Sequence, residues 1–316
     1  MALSGSIDFS MTASELITAA LRTAGVLRAG QSASTSQTTV GMEALNILIK
    51  SLQNRGLNLF ALQKTYLFLE AAKQRYTLTS SGDHWTTNFN STQIATAGSS
   101  GDSTIDVDST TDISDGDYIG VKVDDGTMHW TTVNGSPAGT TVTLTAALDD
   151  DVSVDAYVYN YTTKADRPMD VDRIVIRDTS DNDIPVAMLS LEEYSNLTPK
   201  DAEGKVIEAY FDPQRTTSYL SVWPTTDDTS DYLVLWVQRT LNDIDASSND
   251  LDFPQEWYKA LRYQLAADLA PEFPKEVNAT KWKNLQILAE KYLEEAEWWD
   301  NEGGFKLEPA SYNNQD

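Results

Sequence analysis

The apolar pattern of residues 251–273 constrains the fold of this chain most. Large apolar side chains recur there at every fourth position: Trp257, Leu261, Leu265 and Leu269. This spacing places them on one face of an α-helix, and we name them the core stripe. Pro254 can stand at a helix start, where its missing N–H has no helical partner, and Pro271 prevents the helix from continuing. The stripe therefore predicts a helix that needs other helices to cover it.

Three further segments supply candidate partners for this helix. Thr12 and Glu15 have the spacing of a capping box, and Gly25 is a suitable helix end. The sequence thus predicts helices at residues 12–24, 38–54 and 277–299, with Asn278 as the cap of the last one. We expect the last helix to bury one face made of five residues: Leu285, Leu288, Tyr292, Ala296 and Trp299. Ser190 and Glu193 predict a further short capped helix.

Residues 84–164 have a different composition, because Thr, Val, Asp, Gly and Tyr replace the helix-forming residues. Candidate strands lie at 104–108, 117–123, 129–133, 140–144 and 156–161. Turn pairs separate them at Asp115-Gly116, Asp125-Gly126 and Ala138-Gly139. This spacing predicts a small antiparallel β-barrel or sandwich.

Shorter strands flank that region, at residues 65–70, 74–79, 172–178, 184–188, 209–212, 219–223 and 232–238. We therefore predict an α+β fold: a helical bundle built from the N- and C-terminal helices, with a mixed strand region and an inserted small β-barrel or sandwich. The predicted domains are residues 1–83 with 165–302 as the helical core, 84–164 as the inserted β-domain, and 303–316 as a C-terminal tail.

The sequence offers few groups for catalysis or metal binding. It contains no cysteine, and His84 and His129 lie in turn- and strand-rich segments. The aspartate runs at 112–117, 149–151 and 178–183 lack the ligand spacing of a calcium loop, so turn formation explains them better. No catalytic triad order, phosphate-binding loop or HExxH motif is present. We predict no catalytic residue, no cofactor and no metal, and no run of about 20 apolar residues predicts a membrane span.

Charge is distributed unevenly along the chain. The formal net charge is −25, but residues 1–75 carry seven basic and four acidic groups, whereas residues 76–165 carry two and thirteen. Duplex DNA binding requires clustered Lys and Arg, which the sequence lacks. The acidic balance is compatible with a surface along which DNA passes without adhering.

Several segments, in order, resemble a known phage family. MTASELITAALRTAGVL and LNILIKSLQNRGLNLFAL near the start, AYFDPQR with LSVWP in the middle, and DFPQEWYKALRYQLAADLAPEF near the end are similar to the tail accessory factors of short-tailed phages. These are also called head-completion, head-to-tail adaptor or packaged-DNA-stabilisation proteins. The resemblance covers roughly residues 11–80 and 166–300 and leaves the strand-rich insertion unassigned.

The resemblance implies a structural role in the virion neck, after assembly in the host cytoplasm. The expected partners are the portal protein, neighbouring copies in a twelve-fold ring, tail nozzle or fibre proteins, and double-stranded DNA passing through the lumen. No membrane partner is expected. By the same resemblance the C-terminal tail reaches the portal or a neighbouring subunit. Candidate interface residues are Trp298, Trp299, Phe305, Lys306, Leu307, Pro309 and Tyr312.

Other interpretations of the sequence stay open. Trp298 and Trp299 are adjacent, and one helix face cannot bury both, yet both could pack within the monomer. The β-domain could bind carbohydrate or another virion protein through exposed Trp130, Tyr157 or Tyr159, although this tyrosine face could equally be core. A pair of carboxylates could also cleave a cell-wall glycan.

Overall fold

Among the described residues, all fourteen strands and four of the five α-helices lie in separate parts of the chain. The structure, a computed structural model, describes Gly5, residues 7–55 and residues 59–300. Contacts divide the chain into two compact units. Residues 1–61 and 241–316 form the first, the helical unit, and residues 62–240 form the second, the β unit. Five α-helices occur in the described residues: α1 (Ala13–Ala24), α2 (Thr35–Gln53), α3 (Leu191–Asn196), α4 (Tyr258–Leu269) and α5 (Ala279–Trp299).

The core of the helical unit forms around α4. The structure buries the whole core stripe, since none of its four side chains is more than 1% exposed. Helix α4 packs against α1, α2 and α5, which are the partners that the sequence predicts. Short 3₁₀ turns at Gln255–Trp257 and Ala270–Glu272 extend it at both ends.

The helix ends follow from local capping. The capping box of Thr12 and Glu15 is present, and Gly25 ends α1 in the left-handed conformation with φ 81°. Helix α2 begins at Thr35 and not near residue 38, because Ser34 and Gln37 form a second capping box that the sequence analysis missed. The predicted box of Ser190 and Glu193 is also present and begins α3.

Eight strands of the β unit form one sheet. In sheet order they are β2 (Arg75–Leu78), β13 (Ser218–Trp223), β12 (Glu208–Pro213), β11 (Asp183–Met188), β10 (Pro168–Arg177), β14 (Tyr232–Arg239), β1 (Leu62–Phe68) and β3 (Trp85–Thr86). All neighbours pair antiparallel except β11 and β12, which are parallel.

A second sheet takes its six strands from the middle of the chain. Their order is β7 (Met128–Thr132), β6 (Tyr118–Lys122), β9 (Tyr157–Tyr161), β4 (Asn90–Thr96), β5 (Thr104–Val107) and β8 (Thr141–Thr143). The two end strands approach each other, because Val133 bridges Leu144 and Thr145 N–H donates to the Thr132 carbonyl at 2.9 Å. The sheet therefore curls around its own apolar core.

Strand β14 lies between β10 and β1 and is covered on both faces. Leu233, Leu235 and Val237 point into the core of the eight-stranded sheet. Tyr232 and Val234 point the other way, into an aromatic cluster shared with the six-stranded sheet. A continuous apolar run is what burial on both faces requires of a strand.

The predicted fold class is wrong. The described residues contain fourteen strands in two sheets, whereas the helices are few and lie mostly near the two ends of the chain. The fold is therefore mostly β and is not a helical bundle with a small inserted barrel. The error lies in how the flanking strands associate. Strands on both sides of the predicted insertion pair with each other, as when β1 meets β14 in register from Leu62 to Gln238. They form a large sheet with its own core and are not short additions to a helical bundle.

A glycine in α2 allows α1 and α2 to approach closely. A Cβ atom at Gly41 would lie 2.5 Å from Cγ2 of Ile17, a side chain that is completely buried. Gly41→Ala should therefore destabilise the protein by about 1–2 kcal/mol, because overpacking outweighs the gain of about 1 kcal/mol in helix propensity. Urea unfolding measures this, with Glu43→Ala on the exposed face of α2 as the matched control. A stabilised Gly41→Ala variant would show that the two helices do not pack this closely.

Candidate interface surfaces

The end of α5 presents two exposed tryptophans. Asn278 caps the helix as the sequence predicts, its side chain accepting from the Lys281 N–H. The buried face comprises Leu285, Ala289, Leu293 and Ala296. Leu285 and Ala296 of the predicted face are therefore buried, but the other three residues are not: Leu288 and Tyr292 are half-buried, and Trp299 is 51% exposed. The small side chains Ala289 and Ala296 allow α5 to pack closely against its neighbours, whereas Trp298 is 82% exposed.

Contacts within the helical unit hold this end of α5 in place. The Asp300 carboxylate accepts from the Phe60 N–H at 3.1 Å. Arg55 forms ion pairs with Glu290 at 3.4 Å and Glu297 at 3.1 Å. Phe60 in turn packs against Trp257 of the core stripe, with ring centroids 5.6 Å apart. The two tryptophans are thus exposed on a helix end that other residues of the helical unit hold in place.

The remaining face of α5 also carries an exposed apolar side chain. Ile287 is 61% exposed, and it precedes Trp298 by eleven residues, which is close to three full helical turns. Both side chains therefore lie on one side of the helix. Exposed tryptophan and isoleucine in this arrangement are typical of protein interfaces. The other candidate interface residues, Phe305, Lys306, Leu307, Pro309 and Tyr312, lie outside the described residues.

The residues proposed for carbohydrate binding lie in a packed aromatic cluster. Trp130 is half-buried against Phe68, with ring centroids 5.1 Å apart, and it stacks on His84 at 3.9 Å. Tyr159 is 3% exposed and donates its hydroxyl to the Ser230 carbonyl at 2.7 Å. Tyr157 is half-buried beside Tyr159. The tyrosine face of β9 is therefore core between the two sheets, and it offers no open platform for a sugar ring.

Gly120 makes room for the Trp130 ring. It is paired with Trp130 across β6 and β7, and a Cβ atom there would lie 2.7 Å from the indole. A glycine inside a strand often marks such a close approach. The missing side chain lets the indole lie flat across the neighbouring strand and reach His84.

His84 is held neutral inside this cluster. Its Nδ1 lies 2.7 Å from the Tyr161 hydroxyl. Burial lowers the pKa of His84 to about 3, and the nearby Lys164 ammonium lowers it further. Burial also raises the pKa of the Tyr159 and Tyr161 hydroxyls, so these groups stay protonated. The His84 side chain therefore has a structural role in the interface between the two sheets.

The aspartate runs at 112–117 and 178–183 form turns. Asp178 accepts from the N–H groups of Ser180 and Asn182, both at 2.9 Å, and these hydrogen bonds, led by the one from Asn182, lower the pKa of Asp178. Asp117 accepts from the Ser114 N–H at 2.8 Å in the same way. Across the described residues, no group of three or more His, Cys, Asp or Glu side chains is placed to hold a metal ion. No helix in the described part of the chain is long and apolar enough to cross a membrane.

Comparison with known proteins identifies no family for this chain. No protein-family model matches the chain, and no curated protein matches it. Among solved structures, the chain is similar to VP17, a capsid protein of bacteriophage P23-77, with 11% sequence identity, 61% of this chain and 74% of that chain covered, and a TM-score of 0.12. A TM-score this low carries no argument about fold or function.

The neutral state of His84 predicts a pH dependence of stability. In the unfolded chain a histidine has a pKa near 6.5, so between pH 6.5 and 3 the unfolded state binds a proton that the folded state does not. Stability should therefore fall as the pH drops through this window, by up to about 1.4 kcal/mol per pH unit. Acidic side chains also lower the stability of the fold as the pH falls. The contribution of His84 is therefore taken from the comparison with the His84→Asn variant, which keeps a polar group near Tyr161.

The measurement is the free energy of unfolding from urea titrations at several pH values between 7 and 4. We expect the wild-type protein to lose more stability on acidification than the His84→Asn variant. Equal losses in the two proteins would show that His84 is not kept neutral by its surroundings.

Proposed function

We propose that this chain is a virion structural protein that acts as a head-to-tail adaptor in a short-tailed phage. In this proposal its copies form a ring below the portal, extend the DNA channel, help to retain the packaged DNA and give the tail its attachment surface. The chain performs no catalysis in this role. The proposal rests on the sequence resemblance together with the surface at the end of α5.

The observation that carries the proposal is the exposure of Trp298 on an anchored helix end. A side chain of this size leaves a large apolar area in water, and burying it against a partner contributes about 2–3 kcal/mol. Asp300 and Arg55 hold the helix end, so little ordering opposes binding. The segment 303–316, proposed to reach the portal, follows directly in the sequence.

The acidic composition supports the same proposal. A net charge of −25 disfavours tight binding to DNA, which suits a protein whose lumen DNA must traverse. In the proposed ring, carboxylates face the lumen and keep the duplex from adhering. Tight binding of a DNA duplex by the isolated chain at physiological salt would contradict this part of the proposal.

Removal of residues 303–316 tests the assignment of the tail. The full chain, mostly monomeric alone, should form a ring complex when mixed with the portal protein of the same virion. The truncated chain should fail to form it or form it only weakly. Native mass spectrometry of each mixture measures the complex, and urea unfolding of the truncated chain checks that the fold is retained. A truncated chain that assembles as well as the full one would show that the tail is not the docking segment.

Trp298→Ala combined with Trp299→Ala tests the exposed pair independently. Because both side chains are exposed, the double variant should keep the unfolding free energy of the wild type within about 0.5 kcal/mol. Its assembly with the portal should nevertheless be weakened by about tenfold or more, as for residues at the centre of an interface. Leu191→Ala, which removes a 60% exposed leucine from the β unit, is the control. Unchanged assembly of the double variant would exclude the pair from the interface.

A further inference from the structure

Three adjacent strands of the eight-stranded sheet align two cations with a tryptophan. Trp236 on β14 pairs in register with Lys64 on β1 and with Arg173 on β10. Lys64 Nζ lies 5.7 Å from the centroid of the Trp236 ring, and the Arg173 guanidinium carbon lies 4.2 Å from it. We call these three residues the cationic row. Neighbouring strands are about 4.8 Å apart, so the two cations are separated by roughly 10 Å.

The two cations of the cationic row have no direct contact with a carboxylate in the described structure. Arg173 is exposed, and Lys64 and Trp236 are half-buried. Neither Lys64 nor Arg173 forms an ion pair with another described residue, but both interact electrostatically with the Asp183 carboxylate, which accepts hydrogen bonds from Arg177. Two cations on either side of an indole, neither of them in a direct ion pair, form a surface suited to an anionic partner with an aromatic group.

The end of α5 carries acidic and aromatic side chains, which complement the cationic row. Its last turns contain four glutamates and no basic residue after Lys291. Glu290 and Glu297 pair with Arg55, and Glu295 pairs with Lys259 and Lys291. Glu294 alone among these four has no ion pair or hydrogen bond to a described residue.

Glu294 and Trp298 lie side by side on the exposed face of α5. They are four residues apart, which places them on the same face with a rise of about 6 Å along the helix. A free carboxylate beside an 82% exposed indole thus matches a lysine and an arginine beside an indole.

We propose that the cationic row of one copy binds Glu294 and Trp298 of a second copy of this chain. The carboxylate of Glu294 pairs with Lys64, and the Trp298 indole stacks on the Arg173 guanidinium. The two surfaces differ, so the contact is heterologous. Contacts of this kind repeat head to tail, and they form a ring when the rotation between copies closes and an open filament when it does not. The inference rests on the proposed adaptor function, since it names the contact between neighbouring copies in that ring.

Disulfide trapping tests the contact directly, because the natural chain contains no cysteine. Lys64→Cys and Glu294→Cys are made as separate variants, mixed at high concentration without portal, and oxidised. The mixture should yield about tenfold more cross-linked dimer than either variant alone, which corresponds to about 1.4 kcal/mol of specific contact. Glu43→Cys, at an exposed glutamate of α2, replaces Glu294→Cys in the matched control mixture.

The outcomes of this experiment separate the contact from the adaptor function. Equal yields in the test and control mixtures overturn the inference, whatever the portal experiments show. A specific cross-link with no portal complex supports the contact and contradicts the adaptor role.

Charge exchange gives a second test in the assembled ring. Lys64→Glu should weaken ring assembly on the portal by about tenfold. Adding Glu294→Lys should restore most of that loss, because the two charges of the proposed pair are then exchanged across the interface. A double variant as weak as, or weaker than, Lys64→Glu alone would contradict the proposed pairing.

Discussion

The fold of the β unit depends on strand β14, because both faces of this strand are buried. Leu233 and Leu235 are fully buried on the side of the large sheet's own core, while Val234 is fully buried on the other side. The strand also provides the pairing partners of β1 and β10, which come from distant parts of the sequence. A polar side chain at any of these positions would remain buried without a partner, so the apolar run is required along the strand.

The aromatic cluster joins the two sheets, and its geometry depends on the register of β14. The Tyr232 ring contacts the rings of Phe68 and Phe89. Phe68 in turn contacts Trp130 and Tyr159 of the six-stranded sheet. Aromatic pairs of this kind contribute about 0.5–1.5 kcal/mol each beyond the area they bury. The same register places Trp236 between Lys64 and Arg173, where the indole is only half-buried. One strand therefore sets both the packing within the β unit and the surface proposed to bind a neighbour.

Local features of this fold could be predicted from the sequence, and its long-range pairing could not. Capping boxes, the core stripe and most strands depend on spacing over a few residues, and the structure contains them. Strand β4 was missed because Asn90–Thr96 has Ile94 as its only large apolar residue and shows no alternation. The eight-stranded sheet was missed because its register links residues as distant as Leu62 and Gln238. The cationic row was missed for the same reason, since its three residues become neighbours only through that register.

We propose above all that this chain occupies the neck of the virion as a ring of copies beneath the portal. A cryo-electron microscopy reconstruction of the particle, without symmetry imposed at the portal vertex, tests this position. We expect density for both sheets and for α4 and α5, repeated around the channel directly below the portal. Density for this chain only in the capsid shell or the tail fibres, with none below the portal, would contradict the proposed position.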